Sequence, residues 1–579
     1  STLDHLDVGT VGRVEALRGP ASALYGNASG GVLDFRTELP PSTPIRQELR
    51  VTRGDHGLER TQSITSGTIG DVGYLVSVAR NRWEGFRTRI GGEVGEVYGS
   101  SLRDFLNAQV TFPVAGGQMR VVVNGTELDG ENPGSLNAAD LALWDRRAFP
   151  GNITSGTGKQ VSQGQAGLQW VGPVGTGREL EVSGYGIARE LSNPIPGTVV
   201  DVDRTAFGLR ALLRSERETE RGTRSWAVGA ESDLMQDTRL NFRNVGGERR
   251  DLTLDQDEDV LGGGAFLQAL YPLSPQVQVM GGLRYDRIRF SADDRMAGLP
   301  IGNTGQLRPD GSGTRTMDAV SPSVGVFAAV HPEVGLFLNL STAFETPTTT
   351  ELANRQSGAG GFNPELDPQV GVNSEIGVRG SLFPATGWEL TVFHTRLFNE
   401  LVPFEVETDP GRTYFRNAGR STRTGVELAL QVNPTPLLST RLVVSTNDAR
   451  FKEYRVGSQD YAGNRVPGVV PHRAEGLVRV GPKHWFVELR GEANGAIEVN
   501  DGNLPGSAAE GYRLLDLRAG LNEMGLFGGL RVSPFVGVTN LQDTPYIGSV
   551  AVNAFGGRFF EPGPPRSLYF GASLIAQPR

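Results

Sequence analysis

Residues 334–344 read VGLFLNLSTAF. In an extended chain successive side chains point to opposite faces, so Leu336, Leu338 and Leu340 share one side while Asn339 and Ser341 share the other. The same pattern recurs where Val426, Leu428 and Leu430 alternate with Glu427, Ala429 and Gln431. It recurs again where Leu442, Val444 and Thr446 alternate with Val443, Ser445 and Asn447. A period of two over most of a chain predicts strands with one apolar and one mostly polar face. In a water-soluble sandwich the polar face meets solvent. In a membrane barrel the apolar face meets lipid and the polar face lines a lumen.

Connection lengths separate these two cases. Strand windows follow one another from residue 45 to residue 576, 22 in all, and their connections alternate in length. Val114–Gly117, Gly172–Gly177, Tyr271–Pro275, Pro332–Val334, Pro384–Gly387 and Gly481–Lys483 are short; 129–159, 243–263, 291–318, 345–371 and 550–565 are long. Short turns on one rim and long loops on the other predict an all-β fold, a 22-stranded antiparallel transmembrane β-barrel over residues 42–579. An even count closes the meander with no free edge, and in lipid an unpaired backbone group costs several kcal/mol. A lumen of this width is too wide for side chains alone to fill, so a plug is expected inside it. The last window sets Leu568, Phe570, Ala572, Leu574 and Ala576 on one apolar face, the form expected of a closing strand presented to the outer-membrane assembly machinery.

Composition agrees and excludes other classes. Glycine is abundant, 79 residues without a fixed period, which suits many turns and close backbone approaches. There are no cysteines, so disulfides, thiolate metal sites and cysteine nucleophiles are excluded. The net charge of −9 argues against a nucleic-acid binder. No apolar run is long enough for a transmembrane helix. The sequence lacks a phosphate loop, since Lys159 is followed by Gln160 and Ile153 stands where glycine is needed. His5, His56, His331, His394, His472 and His484 never fall at metal-ligand spacing, and there is no GxSxG elbow. No enzyme, cofactor or metal site is expected. The acid run Asp257-Glu258-Asp259 is expected in a long polar loop, solvated or bridged by a divalent cation to lipopolysaccharide.

Residues 17–35, LRGPASALYGNASGGVLDF, are punctuated by glycine and lack alternation, and residues 1–41 precede the barrel. Glycine pairs such as Gly30-Gly31 are expected to let this backbone approach the barrel wall. The stretch resembles the end of the plug of TonB-dependent outer-membrane receptors. AFETPTTTELA with FNPELDPQVGVNSEIGVRG, YFRNAGRSTRTGVEL, GVTNLQDTPYIGSV and GRFFEPGPPRSLYFG resemble, in order, later segments of the same family. LYGNASGG, ENPGSL, NRVPGVVPH, YIGSVAVN and GRFFEPGPPRS are similar to receptors of the YncD type, associated with pyrroloquinoline quinone uptake.

The resemblance implies residence in the outer membrane of a Gram-negative bacterium, in contact with lipopolysaccharide. It implies active uptake of a scarce small-molecule ligand, driven by the TonB–ExbB–ExbD complex, with no covalent chemistry. It makes residues 1–41 the C-terminal part of a plug. The chain starts at Ser1 with no signal peptide or TonB box, so an N-terminal truncation is expected, as is a barrel that leaks on its own. A terminal aromatic, usual in the family, is replaced by Ala576-Gln577-Pro578-Arg579. A ferric-siderophore receptor is the alternative ligand class, and a passive pore or adhesin the alternative function. A soluble propeller would need a repeat of 40–50 residues, which is not visible.

Arginine matches a carboxylate in bidentate geometry, and pyrroloquinoline quinone carries three carboxylates. Arg87, Arg89, Arg355, Arg416, Arg423 and Arg558 are therefore the ligand candidates in the loops. Lipopolysaccharide phosphates or loop acids are the competing partners. Tyr414, Phe415, Phe559 and Phe560 are candidates to stack on a planar ligand or to pack at the rim. Glu15 and Arg18 are expected to form buried ion pairs with the lumen wall and to act in gating, because withdrawing one partner of a buried pair is costly.

Overall fold

The computed structural model describes residues 5–18, 26–27, 30–89, 96–143, 146–300, 305–357, 360–381, 385–526 and 528–577. Nearly all of the regular structure is strand. Three short helices, Ala138–Leu143, Pro150–Thr154 and Thr349–Ala353, lie in connections. No helix among the described residues is long and apolar enough to cross a membrane.

The main sheet is a closed barrel of 22 antiparallel strands. It opens with Arg46–Gly54 and ends with Ser567–Ala576, and these two pair with each other from Gln47 opposite Ala576 to Gly54 opposite Tyr569. Closure leaves no strand edge exposed. Two strands are interrupted: one at Asn447 into Leu438–Thr446 and Asp448–Glu453, both of which pair with Asp409–Thr435, and one into Tyr512–Leu521 and Met524–Gly525, both of which pair with Leu530–Thr539.

Register follows the alternation read from the sequence. Leu338 stands opposite Ile376 and Val326, and Leu338 and Ile376 are 53% and 59% exposed, facing outward. Asn339 stands opposite Glu375 and Gly325 and lines an interior cavity of about 510 Å³. A slip of one residue would exchange the two faces along the whole strand, which is why the pattern specifies register so strongly.

One expected connection is absent. Residues 243–263 are not a loop: Gly222–Val245 and Glu248–Pro272 form a long hairpin joined at Gly246-Gly247. Both turn glycines have positive φ, 66° and 89°, a conformation glycine adopts without a Cβ clash. Alternation through the polar segment was hidden because both faces carry polar residues. The acid run therefore sits in the sheet. Glu258 points inward, fully buried, and accepts a hydrogen bond from Arg239 Nε at 2.6 Å, while Asp257 and Asp259 bond to Thr238 and Gln236 of the paired strand.

The inner wall is polar and internally paired. Arg204 meets Asp237 at 2.6 Å, Arg284 meets Asp286 at 2.7 Å, and Arg50 meets Glu48 at 2.6 Å. Inside this wall lies a two-stranded hairpin, Val11–Arg18 with Gly31–Thr37. The turn before it is held by Asp7, whose side chain is fully buried. Asp7 accepts from Arg60 (2.8 Å), Gln62 (3.2 Å) and Asn107 (3.2 Å), all inward-facing barrel residues. Arg50 adds a bond to the Gly9 carbonyl at 2.7 Å. Close approach by glycine occurs at Gly26, with φ +70°, where a Cβ would lie 2.7 Å from Arg284 Nη2; Gly30 has open space around it instead.

Candidate functional site

The long connections gather over one mouth of the barrel. Three of them, following Leu438–Glu453, Trp485–Asn494 and Leu530–Thr539, are tied to one another and to the strand Thr386–Val406 by a few amides and carboxylates. Asp501 accepts from the Tyr454 hydroxyl (2.8 Å) and from Asn553 Nδ2 (3.0 Å), and its backbone N–H donates to Asn553 Oδ1 (2.9 Å). Asn553 Nδ2 also donates to the Pro403 carbonyl at 2.9 Å. Asn464 Nδ2 donates to the Asp501 carbonyl at 2.7 Å. Asn553 holds φ of 53°, which a short polar side chain tolerates better than a branched one. Burial pushes the Asp501 carboxyl above the usual aspartate range, against the pull of the Asn553 and Tyr454 hydrogen bonds and of Arg416. Burial likewise raises the Tyr454 phenol.

Most of the six candidate arginines are engaged in building this mouth. Arg87 is buried and donates to the carbonyls of Arg147 (2.7 Å) and Gly134 (3.0 Å). Desolvation brings its guanidinium down to about 10, partly opposed by Glu561. Arg89 pairs with Glu96 (3.3 Å) and lies over the Tyr98 ring. Arg355 donates to the Gly360 carbonyl (2.7 Å), and Arg423 pairs with Glu400 (2.6 Å). Arg558 pairs with Glu405 (3.0 Å) and lies over Phe149. Arg416 differs. Its guanidinium carbon lies 3.6 Å from the centre of the Phe404 ring, and no carboxylate lies within ion-pair distance of it among the described residues. Its Nε is buried without a hydrogen-bond partner.

The aromatic candidates are packed. Tyr414 donates to Asp409 (2.7 Å), Phe560 joins a buried cluster with Val499 and Ala509, Phe559 packs against that cluster, and Phe415 packs beside Leu352 and Phe344. The expected lumen-wall ion pair at Glu15 is replaced by pairs within its own hairpin, to Arg13 and Arg36. The backbone of Arg18 ends a strand; its side chain, with residues 19–25 and 28–29, lies outside the described residues. Asp7 makes the wall contact expected of Glu15. Nothing in its local sequence marks it, because its partners lie 53 to 100 residues away.

The family profile described as TonB dependent receptor-like, beta-barrel matches residues 81–541. The chain belongs to this family. It is an outer-membrane β-barrel of the receptor-like class. Among curated proteins it resembles the metal-pseudopaline receptor CntO of Pseudomonas aeruginosa, 24% identical over 464 residues, 73% of this chain and 61% of the relative. The chain thus spans less than two thirds of that relative's length. Among solved structures it resembles the siderophore receptor PiuA of Acinetobacter baumannii (TM-score 0.78, 15% identity, 98% of this chain and 87% of that one). It also resembles the ferric yersiniabactin uptake receptor FyuA of Yersinia pestis (TM-score 0.77, 17% identity, 97% and 85%). At these identities the structural likeness speaks for the fold.

Segments that carried the resemblance in the sequence meet at the mouth. Leu136 of ENPGSL and Phe560 of GRFFEPG exchange backbone hydrogen bonds at 2.8 and 3.0 Å, while Asn464 of NRVPG and Asn553 of YIGSVAVN converge on Asp501.

Proposed function

We propose that the chain is the barrel and inner plug segment of a receptor that captures a scarce, anionic metal chelate of siderophore type at this mouth and passes it inward. TonB–ExbB–ExbD would supply the energy, and residues 1–41 would be the part of the plug that this energy displaces. The observation that carries the ligand class is Arg416: of the six candidate arginines it alone has no protein acceptor among the described residues, and its guanidinium lies over the Phe404 ring. A half-buried cation that no carboxylate contacts, with Asp501 acting on it only from beyond ion-pair distance, favours an anionic guest. The relative and the structural neighbours named above are a metal-pseudopaline receptor, a siderophore receptor and a ferric yersiniabactin uptake receptor, which favours that class. Pyrroloquinoline quinone, expected from the resemblance, serves as the comparison ligand.

The test is direct binding to the purified receptor, with ferric and other metal chelates set against pyrroloquinoline quinone, paired with uptake in cells with and without TonB. Chelate binding with TonB-dependent uptake is expected. Arg416→Ala should lose about 1.5–3 kcal/mol of affinity for the anionic chelate, the scale of a hydrogen bond to a charged group. Binding of the quinone alone would replace the ligand class; TonB-independent uptake would replace the receptor reading by a passive pore.

A further inference from the structure

Asn27 and Thr346 are 319 residues apart and bind each other reciprocally. Asn27 Nδ2 donates to Thr346 Oγ1 at 3.0 Å, and Asn27 Oδ1 accepts from the Thr346 backbone N–H at 2.9 Å. Thr346 is buried, and Gly26 seats the same turn against Arg284 of the wall. Thr346 opens the connection 346–368 between Val334–Glu345 and Gln369–Gly380. Its described residues, 346–357 and 360–368, are fastened at several points. Thr350 accepts from buried Arg239 (2.8 Å), the Gly361 N–H donates to Gln256 (2.9 Å), and Asn354 donates to the Thr413 carbonyl (3.0 Å). At its far end Asp367 and Asn417 exchange two hydrogen bonds, 2.8 and 2.9 Å, and Asn417 is the neighbour of Arg416. One strap thus touches the N-terminal segment at its start and the backbone that carries Arg416 at its end.

We infer that Asn27 is a positioning residue: by holding Thr346 it sets the strap 346–368, and displacement of the N-terminal segment slackens the Arg416 side of the mouth. The inference rests on the receptor reading for its purpose, but not for its test. An amide is suited to the joint because it offers a donor and an acceptor at once, whereas a carboxylate offers only acceptors. Asn27 was visible in LYGN and Thr346 in AFETP, but nothing in either stretch names the other as its partner.

Hydrogen exchange of the full chain in detergent micelles tests this without any ligand. In Asn27→Ala, exchange over 346–368 and at 415–418 should accelerate about five- to thirtyfold, the scale of one or two lost hydrogen bonds, while Val72–Trp83 stays unchanged. Thr346→Val, which keeps the backbone N–H, should give a smaller acceleration in the same places. The double variant should be no faster than Asn27→Ala, since both remove one joint. Gly26→Ala, which displaces the turn but keeps the amide, should reproduce the pattern and serves if Asn27→Ala does not fold. Acceleration confined to the N-terminal segment, or spread evenly over the barrel, would overturn the inference. Failure of the wild-type chain to bind ferric citrate or any other chelate would count against the receptor reading and leave the exchange result standing.

Discussion

The two sides of the barrel cover the same mouth by different means. Between Arg178 and Thr435, apart from the 12-residue strands Val334–Glu345 and Gln369–Gly380 and the strap between them, the wall rises in long hairpins: Thr198–Thr219, Gly222–Val245, Glu248–Pro272, Thr386–Val406 and Asp409–Thr435 run for 22, 24, 25, 21 and 27 residues. From Leu438 to Ala576 the strands His472–Val480, Trp485–Asn494, Tyr512–Leu521, Leu530–Thr539 and Ser567–Ala576 are only 9 or 10 residues long, and irregular connections rise above them. Backbone N–H and C=O groups must be satisfied in both. On the long side the ladder itself does this, and buried ion pairs stiffen the inner face. On the short side Asn503, Asn540 and Asn553 do it with side-chain amides. Removing a side chain should therefore have global consequences on the long side and local ones on the short side.

The largest expected effect is at Glu258. Glu258→Ala strands Arg239, which is 1% exposed, as an uncompensated buried charge, at a cost of about 3–5 kcal/mol. Thermal unfolding in detergent should shift for the whole barrel. Replacing Arg239 and Glu258 together by methionine should recover much of the loss, and no recovery would mean that the pair itself stabilises the wall.

The lipid-facing band should be common to both sides, since the bilayer has one thickness. Leu338, on the long side, and Leu489, 41% exposed on the short side, both face outward. Leu338→Arg and Leu489→Arg should each cost about 2–4 kcal/mol near the midplane, and Asn339→Arg much less, as measured by folding yield into bilayers. A large difference between the two leucines would mean that the short strands do not span the same slab.

On the short side Asn553→Ala removes bonds to Pro403 and Asp501 and leaves a Cβ-bearing residue at positive φ without the amide's tolerance. A local loss of about 1–3 kcal/mol is expected, read as faster hydrogen exchange over 495–511 and 546–566 with an unchanged barrel melting temperature. A fall in the global melting temperature would erase the distinction between the two sides.

The smallest effect concerns pH. The Asp501 carboxyl is raised by burial, so its contribution to loop stability is fully present below the usual aspartate range and is lost as pH rises through its folded value. Exchange over 495–511 should slow, after correction for intrinsic rates, as pH falls from neutral into the carboxylate range. The strand Val72–Trp83, which carries no carboxylate, provides the internal reference, and the opposite trend in 495–511 would mean that Arg416 outweighs desolvation.

The alternation around Leu338, Leu428 and Leu442, and the short turns on one rim, were legible because each depends on neighbours within a few residues. From these alone follow the strand count, the lipid face and the closed barrel, since lipid leaves a sheet no other way to satisfy its edges. The hairpin turn at Gly246-Gly247 was not legible, because both faces of its strands are polar and period two leaves no trace in hydrophobicity. Arginines could be nominated at Arg87, Arg89, Arg355, Arg416, Arg423 and Arg558, but their residue type could not tell engaged from unengaged. That depends on acceptors such as the Arg147 carbonyl and Glu405, up to 153 residues distant. Asp7 with Arg60, Asn27 with Thr346 and Asp501 with Asn553 are likewise contacts between remote segments. Local sequence determined which faces the strands show to lipid and lumen; closure of the barrel decided which polar groups meet inside it, because only the tertiary fold brings those segments within hydrogen-bonding reach.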